Sequence, residues 1–314
     1  TPGIDPVEEA VGTLTAEHGT LFVVAAGNVP GTGTIATPAS ADAALAVGAV
    51  SKSDALASFS SRGPRMDGAI KPDITAPGVD IVAARGADSG LPGEGETTLS
   101  GTSMAAPHVA GAAAILAQQH PDWTAAQLKG GLMTAARPLL GDVFAEGAGR
   151  LDVGRAVKQT LTASPASLSF GRLAWPHADD APVARTVTLR NDGSSAADLE
   201  LSVDGPSLFS VSPSSVSVPA GGTVDVTVAA DGTVEGEEGL LTGHLIAGSL
   251  RLPLAVDREV ESYDVTVAHV GRDGKAADGY VTVLASADGK IALNLPASAG
   301  TVTARVPKGR YSVL

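Results

Sequence analysis

The sequence predicts a multidomain protein, an α/β parallel-sheet domain followed by all-β sandwich domains, and three observations lead there. The chain has 314 residues, more than a single domain of ordinary size requires. Up to about Ala156, short apolar runs alternate with Gly/Pro turns and Ala-rich segments, the rhythm of βαβ units on a parallel sheet. After about Gln159 the pattern changes to period-two alternation, with turn clusters at roughly 8–12-residue spacing, as in an antiparallel sandwich.

The elements follow in order. A helix opens near Pro6 and closes at His18, with Gly19 as its C-cap and His18 at the negative end of the dipole. LFVVAA at 21–26, LAVGAV at 45–50 and IVAA at 81–84 read as buried strands. From Ser103, SMAAPHVAGAAAILAQQ carries Val109, Ala112, Ala113 and Leu116 at helical spacing and stops at His120 and Pro121. The next helix opens with Thr124 and Gln127, a capping-box pair, and runs through Leu128 and Leu132.

Beyond these, VARTVTLRN at 183–191, ADLELSV at 197–203 and GTVDVTVAA at 222–230 alternate, separated by NDGS, PSS and PAGG turns. No helix is expected in this region. A third segment from about Ser262 repeats the alternation in YDVTVAHV, YVTVLAS, IALNL and TVTARV. It stops at Leu314 inside an expected strand, and the chain opens on Thr1 rather than Met, so truncation at both ends is expected. The expected domains are residues 1–158, 159–260 and 261–314.

Composition narrows the function. Lys and Arg number 21 against 34 acidic residues, a formal net charge of −13, and no basic run stands out, which excludes an electrostatic nucleic-acid footprint. The absence of cysteine removes disulfide scaffolds, thiolate zinc sites and cysteine nucleophiles together. No apolar run approaches the roughly 18 residues of a membrane span.

GTSMAAPHVAG at 101–111 carries the chemistry. A Gly-Thr turn delivers Ser103 to the first turn of a helix, where free backbone N–H groups and the positive dipole end favour an oxyanion beside the side chain. Pro107 is tolerated because it lies so near the helix start. An arbitrary serine at such a place is ordinarily an N-cap, and the flanking residues decide against that here.

This stretch resembles the nucleophile motif of subtilisin-like serine peptidases, and VVAAGN at 23–28 resembles the strand that ends in their oxyanion-hole asparagine. SFSSRGP at 58–64 and KPDITAPGVDI at 71–81 are similar to connecting segments that this family places between asparagine and serine. Four ordered matches span roughly residues 11–156. The resemblance implies Ser103 as nucleophile, with Asn28 and the Ser103 backbone N–H holding the oxyanion. It also implies that Ala25, Ala26, Gly27 and Ala36 line the pocket for the residue before the scissile bond, and that the Thr37-Pro38 peptide in ATPAS is cis. PASLSFGRL at 165–173 and PAGGTVDVTV at 219–228 resemble the fibronectin type III-like sandwich that often follows large subtilases.

The family's triad runs Asp, His, Ser, with both partners upstream of the asparagine, and neither motif occurs here. His18-Gly19-Thr20 echoes the histidine motif without its continuation. His108, five residues after Ser103, points about 140° away on a helix and reads as a packing residue. His120 abuts a helix stop, while His177, His244 and His269 belong to the β region, so none replaces the base. Asp73 reads as a turn cap; without a DxDxDG loop or a His/Glu cluster no metal ligand is assigned, and Ca2+ stays open as a cofactor. Glu235, Glu237 and Glu238 read as solvated turn charges, and Trp123 and Trp175 as packing anchors.

The expected protein is therefore a secreted serine endopeptidase acting on protein or peptide substrates, its triad Asp and His outside this chain, so that the chain alone is inactive. The competing expectation is a noncatalytic binding or scaffold protein built on a degenerate peptidase remnant. Retention of both Ser103 and Asn28 disfavours it.

Overall fold

The computed structural model describes residues 5–139 and 141–314. The first helix, α1 (Pro6–His18), is capped at both ends: Asp5 Oδ1 accepts from Val7 N–H at 2.8 Å, and Gly19 takes the left-handed conformation with φ 66°. Three strands, β1 (Val23–Ala25), β2 (Leu45–Val50) and β3 (Ile74–Pro77), form a parallel sheet in that spatial order. Every residue of β2 is buried, as a central parallel strand requires.

Two expectations are corrected here. The third parallel strand is β3, inside the segment read as a connection, whereas IVAA forms β4 (Ile81–Ala84), an exposed strand of a two-stranded antiparallel hairpin with β5 (Glu96–Leu99). Its apolar side chains have no second layer to bury them.

The helix α2 (Thr102–Gln119) packs Val109 and Leu116 against Leu45, Val47 and Ile74 of the sheet. A capping box at Thr124 and Gln127 opens α3 (Ala125–Thr134), which adds Leu128 and Leu132 to the same core. Two single-turn helices follow, α4 (Val143–Glu146) and α5 (Val153–Ala156). His120 caps the end of α2 and stacks on Trp123 with ring centroids 3.9 Å apart.

From Leu161 onward the described residues form strands only. One sheet contains β6 (Leu161–Ser164), β8 (Val183–Asn191), β10 (Phe209–Ser212) and β12 (Thr223–Ala230). The other contains β7 (Leu168–Leu173), β9 (Ala197–Asp204), β11 (Ser215–Val218), β13 (Gly239–Ala247) and β14 (Leu250–Arg258). Alternate residues of both sheets, including Phe170, Val187, Leu189, Leu245 and Leu252, fill one core between them. The sandwich is not wholly antiparallel: β7 pairs with β14 in parallel, with an irregularity between Ala255 and Asp257.

Five further strands make two small sheets. In the first, β15 (Ser262–Ala268) pairs with β18 (Thr301–Pro307); in the second, β16 (Val281–Ser286) lies between β17 (Ala292–Pro296) and β19 (Tyr311–Val313). The buried Glu259 carboxylate accepts from Trp175 N–H and from the Arg305 guanidinium, both at 2.9 Å, tying β18 to the sandwich.

At the junction of the first region and the sandwich, α3 lies against β6 so closely that a Cβ on Gly130 would stand 2.6 Å from Ala163 O. Only glycine permits that approach. Ile70, Val143, Phe144 and, from β14 of the sandwich, Ala255 form a small separate apolar cluster.

Candidate active site

Ser103 lies in the first turn of α2 and is exposed, with its backbone N–H among those that have no intrahelical acceptor. Gly101 N–H donates to Gly78 O at 2.8 Å, which fixes the residue leading into that turn. Asn28 follows β1 and is exposed on the same side. Its Oδ1 accepts from Thr102 N–H at 2.9 Å and from the Thr102 hydroxyl at 3.0 Å.

A backbone N–H can bond only to the oxygen end of an amide, so this contact decides which way the Asn28 side chain is turned. Its Nδ2 lies 3.5 Å from where a Cβ on Gly101 would be, at the turn that leads into Ser103, and finds no hydrogen-bond partner among the described residues. Sequence reasoning singled out Asn28 and Ser103 but not Thr102, which the structure brings against Asn28 and whose place directly before the serine was the available signal.

The loop after Asn28 is held by the SFSSRGP segment. Ser61 N–H donates to Gly27 O at 3.0 Å, and Ser61 Oγ accepts from Val29 N–H at 3.1 Å. A Cβ on Gly27 would fall 2.7 Å from Ser61 Oγ, and Gly27 has φ 115°, so steric fit and backbone conformation both demand glycine. Of the remaining pocket candidates, Ala25 is half-buried and Ala36 exposed; Ala26 is fully buried and accepts from Ala36 N–H at 3.5 Å. The Thr37-Pro38 peptide is cis.

All six histidines lie elsewhere. His18 is exposed at the end of α1, and His108 is exposed with Nδ1 donating to Met104 O at 2.8 Å, so it is satisfied by its own helix rather than by packing. His120 stacks on Trp123. His177 Nε2 donates to Glu259 O at 2.9 Å, His244 Nδ1 accepts from Arg251 at 3.1 Å, and His269 Nε2 meets the Thr282 hydroxyl at 2.7 Å. No histidine among the described residues is therefore bonded to Ser103.

Asp73 is not a turn cap but the centre of a buried charge cluster. Its carboxylate pairs with Lys71 Nζ at 2.8 Å and Lys129 Nζ at 2.9 Å and accepts from Ala46 N–H at 2.7 Å. Burial opposes its ionisation, yet Lys129 and Lys71 hold it below the usual carboxylate range. Burial draws Lys71 down to about 8, against the pull of Asp73. The sequence signal for this cluster was the Lys-x-Asp pair preceding an apolar run. Among the described residues no group of three or more His, Asp or Glu is placed to hold a metal ion, and no helix is long and apolar enough to cross a membrane.

Comparison with known proteins places these residues in context. A family model described as the subtilase family matches residues 2–163. The chain is 43% identical over 129 residues to a subtilisin-like protease of Arabidopsis thaliana, covering 37% of this chain and 17% of that protein. It is 37% identical over 174 residues to the minor extracellular protease Vpr of Bacillus subtilis, covering 52% of this chain and 22% of that protein. With subtilisin E of Bacillus subtilis it shares 42% identity over 138 residues, covering 43% of this chain and 33% of that protein. The chain thus spans between about a sixth and a third of the length of these relatives.

Proposed function

The chain belongs to the subtilase family, and from that premise we propose that it is the nucleophile-bearing part of a secreted serine endopeptidase. Residues 1–158 are its share of the peptidase domain, 159–260 a fibronectin type III-like sandwich and 261–314 a further small β module. The reading rests above all on the Thr102–Asn28 contact, which leaves the amide donor of Asn28 beside Gly101 at the turn leading into Ser103. A noncatalytic remnant has no use for such an arrangement.

In the proposed reaction a histidine outside these residues takes the proton of Ser103 Oγ as the oxygen attacks the scissile carbonyl, while an aspartate orients that histidine. The oxyanion forms between Asn28 Nδ2 and the Ser103 backbone N–H, two preorganised donors. The histidine then passes its proton to the leaving amine, and water hydrolyses the acyl-enzyme. Large apolar side chains fit a pocket walled by Ala25, Gly27 and Ala36, whose small side chains leave room. The test is casein hydrolysis by the complete gene product containing this chain, with and without Ser103→Ala. Hydrolysis abolished by that change supports the reading, and hydrolysis surviving it refutes the assignment of Ser103.

A further inference from the structure

The loop from Ala36 to Ala44 has an unusual support. Four of its carbonyls are taken by cationic side chains from three different segments. Arg65 donates to Ser40 O at 2.7 Å; Lys71 Nζ donates to Ala41 O and Ala44 O, both at 2.9 Å; Lys129 Nζ donates to Ala44 O at 2.8 Å and to Asp42 O at 3.3 Å. Arg65 is in turn paired with Asp42 and Asp67, and Asp73 holds both lysines. At the other end Ala36 N–H donates to Ala26 O at 3.5 Å, and Thr34, two residues earlier, donates its N–H to Arg62 O at 2.9 Å and accepts from Arg62 N–H at 3.1 Å. The far end reaches Ala36 through the turn in which Ser40 N–H donates to Ala36 O at 3.3 Å and Ala41 N–H to Pro38 O at 3.1 Å, so Ala36 is held between two anchors.

We infer that Lys71 is a positioning residue for substrate selection: by clamping Ala41 O and Ala44 O against Asp73 it fixes the Ala36 wall of the pocket for the residue before the scissile bond. This inference deepens the proposed function and rests on it. The ammonium has three donors for three acceptors, two carbonyls and one carboxylate, and is 3% exposed, so water cannot substitute for any of them. Loss of its proton leaves two donors and abolishes the ion pair. The groups facing it are Asp73, Lys129 and Arg65, the last balanced by Asp42 and Asp67. Because burial brings Lys71 down to about 8, the clamp weakens above that pH.

The experiment compares the complete gene product with its Lys71→Met and Lys71→Arg variants, reading the ratio of kcat/KM for peptides with a large apolar versus a small residue before the scissile bond. Effects common to both substrates, including titration of the general base, cancel in that ratio. Lys71→Met replaces the aliphatic stem while removing the ammonium, and leaves Asp73 paired with Lys129, so no buried charge is orphaned. The parent ratio should fall as pH rises through about 8. In Lys71→Met it should be about tenfold below the parent's at pH ~7 and show no fall through pH ~8, so that the two converge at high pH, and in Lys71→Arg, which cannot lose its charge, it should stay flat to pH ~10. Amide exchange of peptides covering residues 36–44, followed by mass spectrometry, gives a reading independent of catalysis and should quicken about tenfold in Lys71→Met. Unchanged ratios and unchanged exchange in Lys71→Met would overturn the inference. Failure of Ser103 to react with diisopropyl fluorophosphate in the parent would instead overturn the proposed function, leaving the exchange result to judge the clamp.

Discussion

Thr102 gives both its backbone N–H and its hydroxyl to Asn28 Oδ1, at 2.9 and 3.0 Å, so the residue before the candidate nucleophile sets the direction of the candidate oxyanion donor. Asn28→Ala should lower kcat by about 10²–10³ with little change in KM, the range known for such a donor in subtilisin. Thr102→Val, which keeps the N–H but removes the hydroxyl, should cost about tenfold in kcat. Steady-state kinetics check both, and a rise in KM with kcat intact would move Asn28 from catalysis to binding.

Met104 follows the candidate nucleophile, and its Sδ stands 3.6 Å from where a Cβ on Gly101 would be. Peroxide should convert it to a sulfoxide that crowds the acyl site, lowering activity without unfolding. Met104→Ala should resist inactivation. Equal inactivation rates for parent and variant would contradict the placement.

His244 on β13 is half-buried, and burial together with the neighbouring Arg251 brings it down to about 4 from an ordinary 6.5. The unfolded chain therefore binds a proton that the folded sandwich refuses between those values. Stability should be complete above pH 6.5 and decline as pH falls toward 4. In His244→Gln, thermal melts across this window should show a shallower decline. A decline as steep as the parent's would assign the acid sensitivity to other groups.

Much of this architecture was legible from local signals. The ends of α1 followed from Pro6 and Gly19, the start of α3 from Thr124 and Gln127, and β8, β9 and β12 from strict alternation. What escaped was nonlocal. IVAA is as apolar as a buried strand, and nothing in its own residues says that β4 finds only β5 as a partner. The segment containing β3 was read as a connection and Asp73 as a turn cap, because the second charge that pairs with Asp73, Lys129, comes from α3, far along the chain. Parallel pairing of β7 with β14 joins strands far apart in the chain. In the site, motif residues were legible, but the side-chain contacts that orient them were not.

The sandwich carries its own core, and α3 touches it chiefly through the close approach of Gly130 to Ala163. Residues 160–260 made alone should melt cooperatively and hydrolyse nothing. A melt without a transition would show that the sandwich depends on the peptidase surface.

The central claim is that Ser103 is a nucleophile whose base lies outside these residues. Fluorophosphonate labelling, with the modified residue located by mass spectrometry, tests it most directly. The 314-residue chain alone should remain unlabelled, while the complete gene product should be labelled at Ser103 and lose the label on Ser103→Ala. Stoichiometric labelling of Ser103 in the isolated chain would contradict the account and return the search for a base to His18 and His108.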